Sequence, residues 1–191
     1  MAFHFEKETN DMKQLTTRQL AMMAFCVILG LIAKRIVSPF TNVLTDFIRL
    51  PGGSAAVGFS LAFLVIGREM VPMFRWAATL MGFLQGVLGL MLGFSGYQGI
   101  FALLTYTLPG LVIDLTARMM GKRDLAYFLC ASVLACISSS LLSNLLVFHL
   151  SGLALLMWLL VAACSGIVGG ICAQLLYERI ICALKIEGRR S

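Results

Sequence analysis

Long apolar stretches follow one another along this chain with only short polar breaks between them. They predict six helices, at about 17–35, 54–68, 71–94, 98–120, 125–148 and 153–184. Stretches of this length match the ~20 residues that a helix needs to cross a ~30 Å hydrocarbon layer. The first helix begins after "QLTTRQ", where Thr16 or Thr17 offers a hydroxyl to the free amides of the opening turn. The second, "SAAVGFSLAFLVIG", is short and is expected either to be partly re-entrant or to start deep in the membrane. Its break from the third, "GREMVPMFR", carries Pro72 near a helix start, where a missing N–H costs little. "SGYQG", "GKRD" and "HLSG" are the other breaks, and the last helix outlasts the membrane as "LLYERIICALK". The expected fold is an all-α integral membrane protein, a single domain over 1–191 with six transmembrane helices and a polar tail at 1–16.

One break is much longer than the rest. "KRIVSPFTNVLTDFIRLPGG" reads as a loop of about twenty residues, with Pro51, Gly52 and Gly53 as its hinge back into the membrane. Long connections over a compact scaffold are often lids or binding loops. An interfacial segment resting Phe40 and Phe47 on the lipid headgroups is the plainer expectation.

Composition agrees with lipid as the solvent. Apolar residues make up 60% of the chain, charged residues only 13%, and mean hydropathy is +0.93. The net charge of +6 does not by itself point to nucleic acid, because in such a chain the position of the charges matters more than their sum. In a six-span arrangement Lys7, Lys13, Arg18, Arg68, Arg75, Arg118, Lys122, Arg123, Arg179, Lys185, Arg189 and Arg190 share one side, and Lys34, Arg35 and Arg49 the other. Positive charge favours the cytoplasm, so both termini are expected there. The start of the chain is polar and lacks a cleavage pattern, so no signal peptide is expected.

The six cysteines all fall in apolar stretches without a Cys-x-x-Cys pair, which suits small fillers between helices rather than metal ligands. Small residues also form stripes: Gly82, Gly86, Gly89 and Gly93; Ala162, Gly166 and Gly170; Cys26 and Gly30. Such stripes let helices approach closely in lipid.

Two resemblances bear on function. "GFSG" running into a helix, with His149 in "HLSG", resembles the active serine and histidine of rhomboid-type intramembrane proteases. That likeness implies Ser95 as nucleophile and His149 as general base. The stretch where that family carries its oxyanion-stabilising His and Asn reads "SAAVGFSLAF" here, with neither.

The second resemblance covers essentially the whole chain. A Gly-rich third helix, a Gly/Ser turn and a fourth helix ending "GLVIDLTARMMGKRD" are similar to the substrate-binding S components of energy-coupling factor (ECF) vitamin transporters. Gly110, Asp114, Arg118, Lys122 and Arg123 carry the pattern, with the thiamine and hydroxymethylpyrimidine branch the most similar. The resemblance implies a bacterial cytoplasmic membrane protein with no cofactor or ATPase site of its own. It implies capture of a vitamin or precursor at the outer face, and as partners a transmembrane coupling subunit and two ATPases. It also implies a docking face on the first helix; the family's Ala-x-x-x-Ala motif is absent there, Ala21 and Ala24 being three apart, and Ala24 with the Cys26/Gly30 stripe is the expected substitute.

The residues themselves favour a binder. Gln85, Gln98, Thr105, Tyr106, Ser139, Ser140, Asn144 and Trp158 fall in the outer halves of the helices, where polar groups need partners. With Tyr97 at the outer turn, His149 and Arg35, the residues Gln85, Gln98, Tyr106, Asn144 and Trp158 form the expected substrate site, and Lys34, Arg35 or Arg49 would meet a carboxylate or phosphate on the ligand. Neutral amides and aromatic faces suit a flat heterocycle. Bonding among these groups between helices is the alternative. Asp114 is expected to pair with Arg118 one turn on. Arg68, Glu69 and Arg75 are expected in a polar turn, solvated or facing partner subunits.

Overall fold

A computed structural model describes residues 17–46, 57–71, 74–93, 96–121 and 124–187. Its elements are all helical: α1 (Thr17–Asp46), α2 (Val57–Met70), α3 (Ala77–Met91), α4 (Ala102–Met119), α5 (Leu125–Ser143) and α6 (Gly152–Glu187). A 3-10 segment, Gly96–Phe101, leads into α4, and a π turn, Asn144–Phe148, ends α5. Among the described residues four stretches are long and apolar enough to cross a membrane: Gln19–Phe40, Gly99–Met119, Leu125–Phe148 and Gly152–Cys182. The chain is an all-helical, multi-pass membrane protein. α3 is a shorter apolar helix of 15 residues, and α2 has 14. At 1.5 Å per residue each is only ~21–23 Å long, less than the ~30 Å hydrocarbon thickness.

The short α2 is the centre of the bundle. Apolar nearly all round, it buries ten of its residues, from Gly58 to Glu69, as such a helix must. It packs against α1, α5 and α6, while α3 pairs with α4, α4 with α5, and α5 with α6. The main core joins Met23, Val27, Leu64, Val65, Met81, Ile113, Tyr127 and Phe128 from five helices. A smaller cluster of Leu31, Ala102 and Tyr106 fills the wedge between α1 and α4.

Two boundaries differ from the sequence expectation. α1 continues to Asp46, through Pro39, so much of the expected long loop is helix. Proline's fixed φ is compatible with a helix, and only one backbone bond is lost. The exposed Phe40 and Val43 lie on this extension. Phe47, Arg49 and the Pro51–Gly53 hinge lie outside the described residues, as does Pro72. The glycine stripe of the third helix also divides. Gly82 and Gly86 approach the backbone of Tyr106 and Leu103 in α4, Gly89 has open space beside it, and Gly93 lies beyond the helix at φ +68°. Gly166 and Gly170 hold α6 against Val133 and Phe128 of α5, while Gly169 meets the backbone of Gly58 in α2. Of the cysteines, Cys26 and Cys136 are buried, whereas Cys130, Cys164 and Cys182 are exposed on helix surfaces rather than filling gaps between helices.

Candidate functional site

Backbone groups left open at helix starts and at prolines have no water to turn to in lipid, so something else must satisfy them. In this bundle neighbouring helices do so. Trp76 at the start of α3 offers no capping side chain. Asp114 of α4 takes that role, accepting from the amides of Ala78 (3.3 Å) and Thr79 (2.8 Å) and from the Thr79 hydroxyl (2.7 Å). A carboxylate at a helix N-terminus also meets the positive end of its dipole. Ser165 of α6 accepts from the Gly58 amide in the first turn of α2, at 3.1 Å. Pro109, inside α4, cannot donate to the Thr105 carbonyl, and the Ser139 hydroxyl of α5 donates to it instead at 3.1 Å.

The Asp114 cluster corrects two expectations. Its carboxylate pairs with Arg68 Nε at 2.9 Å, not with Arg118, because Asp114 faces the interior. Arg118 lies over the Trp76 ring, 4.0 Å from its centroid. Arg68 and Glu69 are buried rather than forming a solvated turn, and the Tyr127 hydroxyl donates to Glu69 at 2.9 Å. Arg75 is exposed. This is the end of the bundle where α2 and α4 finish and α3 and α5 begin.

The expected substrate residues gather at the opposite end, in two groups. Gln85 is fully buried in α3. Its Nε2 donates to the Val27 carbonyl of α1, and its Oε1 accepts from the Ser60 hydroxyl of α2, each at 3.4 Å. It lies directly under Gly30, where any side chain would strike Nε2 at 2.4 Å. One turn further along α1, the Lys34 ammonium sits over the Tyr106 ring, 4.2 Å from its centroid, and donates to the Tyr106 hydroxyl. These residues form one group between α1, α2, α3 and α4.

The second group closes the turn from α5 to α6. Asn144 accepts from the Leu150 amide at 2.7 Å and donates to the Leu150 carbonyl at 3.2 Å, clamping the π turn. His149 is exposed, in the left-handed conformation (φ 50°, ψ 33°), and its amide donates to the Asn144 carbonyl at 2.8 Å. Trp158 is buried edge-on against Phe148, 4.8 Å between ring centroids, and among the described residues its indole N–H meets no acceptor. The 3-10 segment packs against this turn. Arg35 is exposed on α1. The side chains of Tyr97 and Gln98 lie outside the described residues, as does Ser95, the other half of the protease dyad.

The four residues expected to dock a partner do not share a face. Ala21 and Ala24 are exposed, whereas Cys26 and Gly30 are buried towards α2 and α3. Among the described residues no cluster of His, Cys, Asp and Glu is arranged to hold a metal. Sequence reading did not single out Lys34, one of three basic residues with Arg35 and Arg49 expected to meet an anionic ligand, and left Ser60 out of the site. Cys26, Gly30 and Lys34 recur at intervals of four, so a lysine on the small-residue face of α1 was the available signal for the first. Ser60 carried none. No family model, curated protein or solved structure matches the chain.

Proposed function

We propose that this chain is the substrate-binding S component of an ECF-type importer, capturing a vitamin or vitamin precursor outside the cell. In this reading both termini are cytoplasmic and the bundle has six spans. Transport then relies on ATP hydrolysis by two ATPases, joined through a transmembrane coupling subunit. The observation that carries the reading is the gathering of Lys34, Ser60, Gln85 and Tyr106 at the end of the bundle away from the Asp114–Arg68 pair. Intramembrane polar groups are costly and usually mark a ligand or ion path. An amine, an amide and an aromatic face together suit a small polar heterocycle. The distribution of basic residues, twelve against three, supports the orientation. Ala21 and Ala24, small and exposed on α1, are the natural contact for the coupling subunit.

Tagged chain solubilised in mild detergent from its native membranes is expected to bring down a membrane subunit and two nucleotide-binding subunits. Ala24→Trp should weaken that association while leaving thermal stability unchanged. Failure of any such subunits to co-purify, with and without cross-linking, would sink the proposal.

A further inference from the structure

Lys34 occupies an unusual place for a lysine. It lies within the apolar stretch Gln19–Phe40, fifteen residues from its start. At 1.5 Å per residue that is ~22 Å along a ~30 Å hydrocarbon layer, short of its far edge. A lysine there is expensive unless its charge is met. Among the described residues its ammonium is met by Tyr106, at the hydroxyl and the adjoining part of the ring. The one acidic residue in the sequence of α1 is Asp46, twelve positions further along the chain. The buried acids, Glu69 and Asp114, belong to the opposite end. Tyr106 supplies one acceptor to a group with three donors and, being neutral, does not offset its positive charge. The tyrosine is itself buried against Leu31 and Ala102, and the half-buried lysine meets it there.

Resting on the capture reading above, we infer that the ligand carries an oxyanion, a carboxylate or a phosphate, and that Lys34 is the residue that binds it. The ammonium keeps the Tyr106 hydroxyl and turns its remaining N–H groups to the anion. Charge-assisted bonds of this kind are short and strong. The same chemistry would bind the phosphate of a lipid headgroup, so the test must separate the two sources.

Full-length chain is purified without added ligand, as wild type, Lys34→Met and Lys34→Arg, and the retained small molecules and lipids are extracted and identified by mass spectrometry. Lys34→Met removes the charge from an apolar setting and should not impair folding, and thermal unfolding checks this. The expected result is a water-soluble molecule bearing a carboxylate or phosphate, retained by wild type and reduced about tenfold or more in Lys34→Met. Lys34→Arg, which keeps the charge, should recover part of the loss. A retained molecule that is neutral or cationic overturns the inference and leaves the capture reading standing. So does an anionic one held equally by Lys34→Met. Phospholipid alone, lost in Lys34→Met, makes the lysine a headgroup anchor and overturns it too. If wild type retains no water-soluble molecule, the inference falls, and co-purification of the partner subunits separately decides the transporter reading.

Discussion

Thr79 receives its helix cap from Asp114, a residue thirty-five positions away on the next helix: both the amide and the hydroxyl of Thr79 donate to Oδ2, at 2.8 and 2.7 Å. The same carboxylate holds Arg68, so one fully buried acid ties the start of α3 to the end of α2. Asp114→Ala should therefore destabilise the protein by roughly 3–5 kcal/mol, because it strands a buried guanidinium as well as the α3 amides. Asp114→Asn keeps an acceptor for Thr79 and should fall between the two. Thermal unfolding in detergent measures both, and an alanine variant as stable as wild type would show that the cap carries no weight.

Ser139 and Pro109 are expected to be energetically coupled. Ser139→Ala removes the hydroxyl that donates to the Thr105 carbonyl and should cost about 0.6–1.7 kcal/mol, the range for hydrogen bonds between membrane helices. In a Pro109→Ala background the restored amide of residue 109 reaches that carbonyl itself, so the same substitution should cost almost nothing. A double-mutant cycle of denaturant midpoints reads the difference. Equal losses in both backgrounds would refute the coupling.

Two glycines should respond in opposite directions to the same methyl group. At Gly58 a Cβ would stand 2.1 Å from the Ser165 carbonyl oxygen, backbone that cannot move without parting α2 from α6. Gly58→Ala should cost about 1–3 kcal/mol or more. Nothing lies within 4 Å of a Cβ at Gly89, so Gly89→Ala should gain about 0.5–1 kcal/mol from the stiffer helix. Unfolding midpoints that move together would contradict the close packing of α2 on α6.

The turn after α5 separates side-chain from backbone roles. Asn144→Ala removes both bonds to Leu150 and should destabilise by about 1–2 kcal/mol. His149→Gly should instead raise stability by up to about 1 kcal/mol, since glycine adopts φ 50° without the crowding a side chain brings. Differential scanning fluorimetry on the two variants suffices, and a destabilised His149→Gly would mean that the exposed imidazole has a structural partner.

Some features were legible along the chain because they depend on neighbours in sequence. The small-residue pairs of α6 are one case, since Ala162, Gly166 and Gly170 recur at the period of a helix and so share a face. The buried Gln85, Tyr106, Asn144 and Trp158 were found by their polarity within apolar stretches. Other features had no local trace. Nothing in "PMFRWAATL" contains a cap for α3, and the Asp114 that provides it reads equally well as a partner for Arg118 one turn away. The short spacing of Gly89 and Gly93 fits the stripe of Gly82 and Gly86, yet α3 has ended before Gly93 and leaves α4 before Gly89.

By itself the sequence determined the medium and the secondary structure: long apolar stretches must bury their backbone polar groups in helices, whatever surrounds them. It also set aside the few polar positions that need an explanation. Only the tertiary structure decided which helix satisfies which. The partners of Asp114, Ser139, Ser165 and Lys34 lie on other helices, and distance along a chain does not encode the crossing of two helices. The same holds for α1, whose inward face of Cys26, Gly30 and Lys34 is distinguished from its outward face of Ala21 and Ala24 by what packs against it.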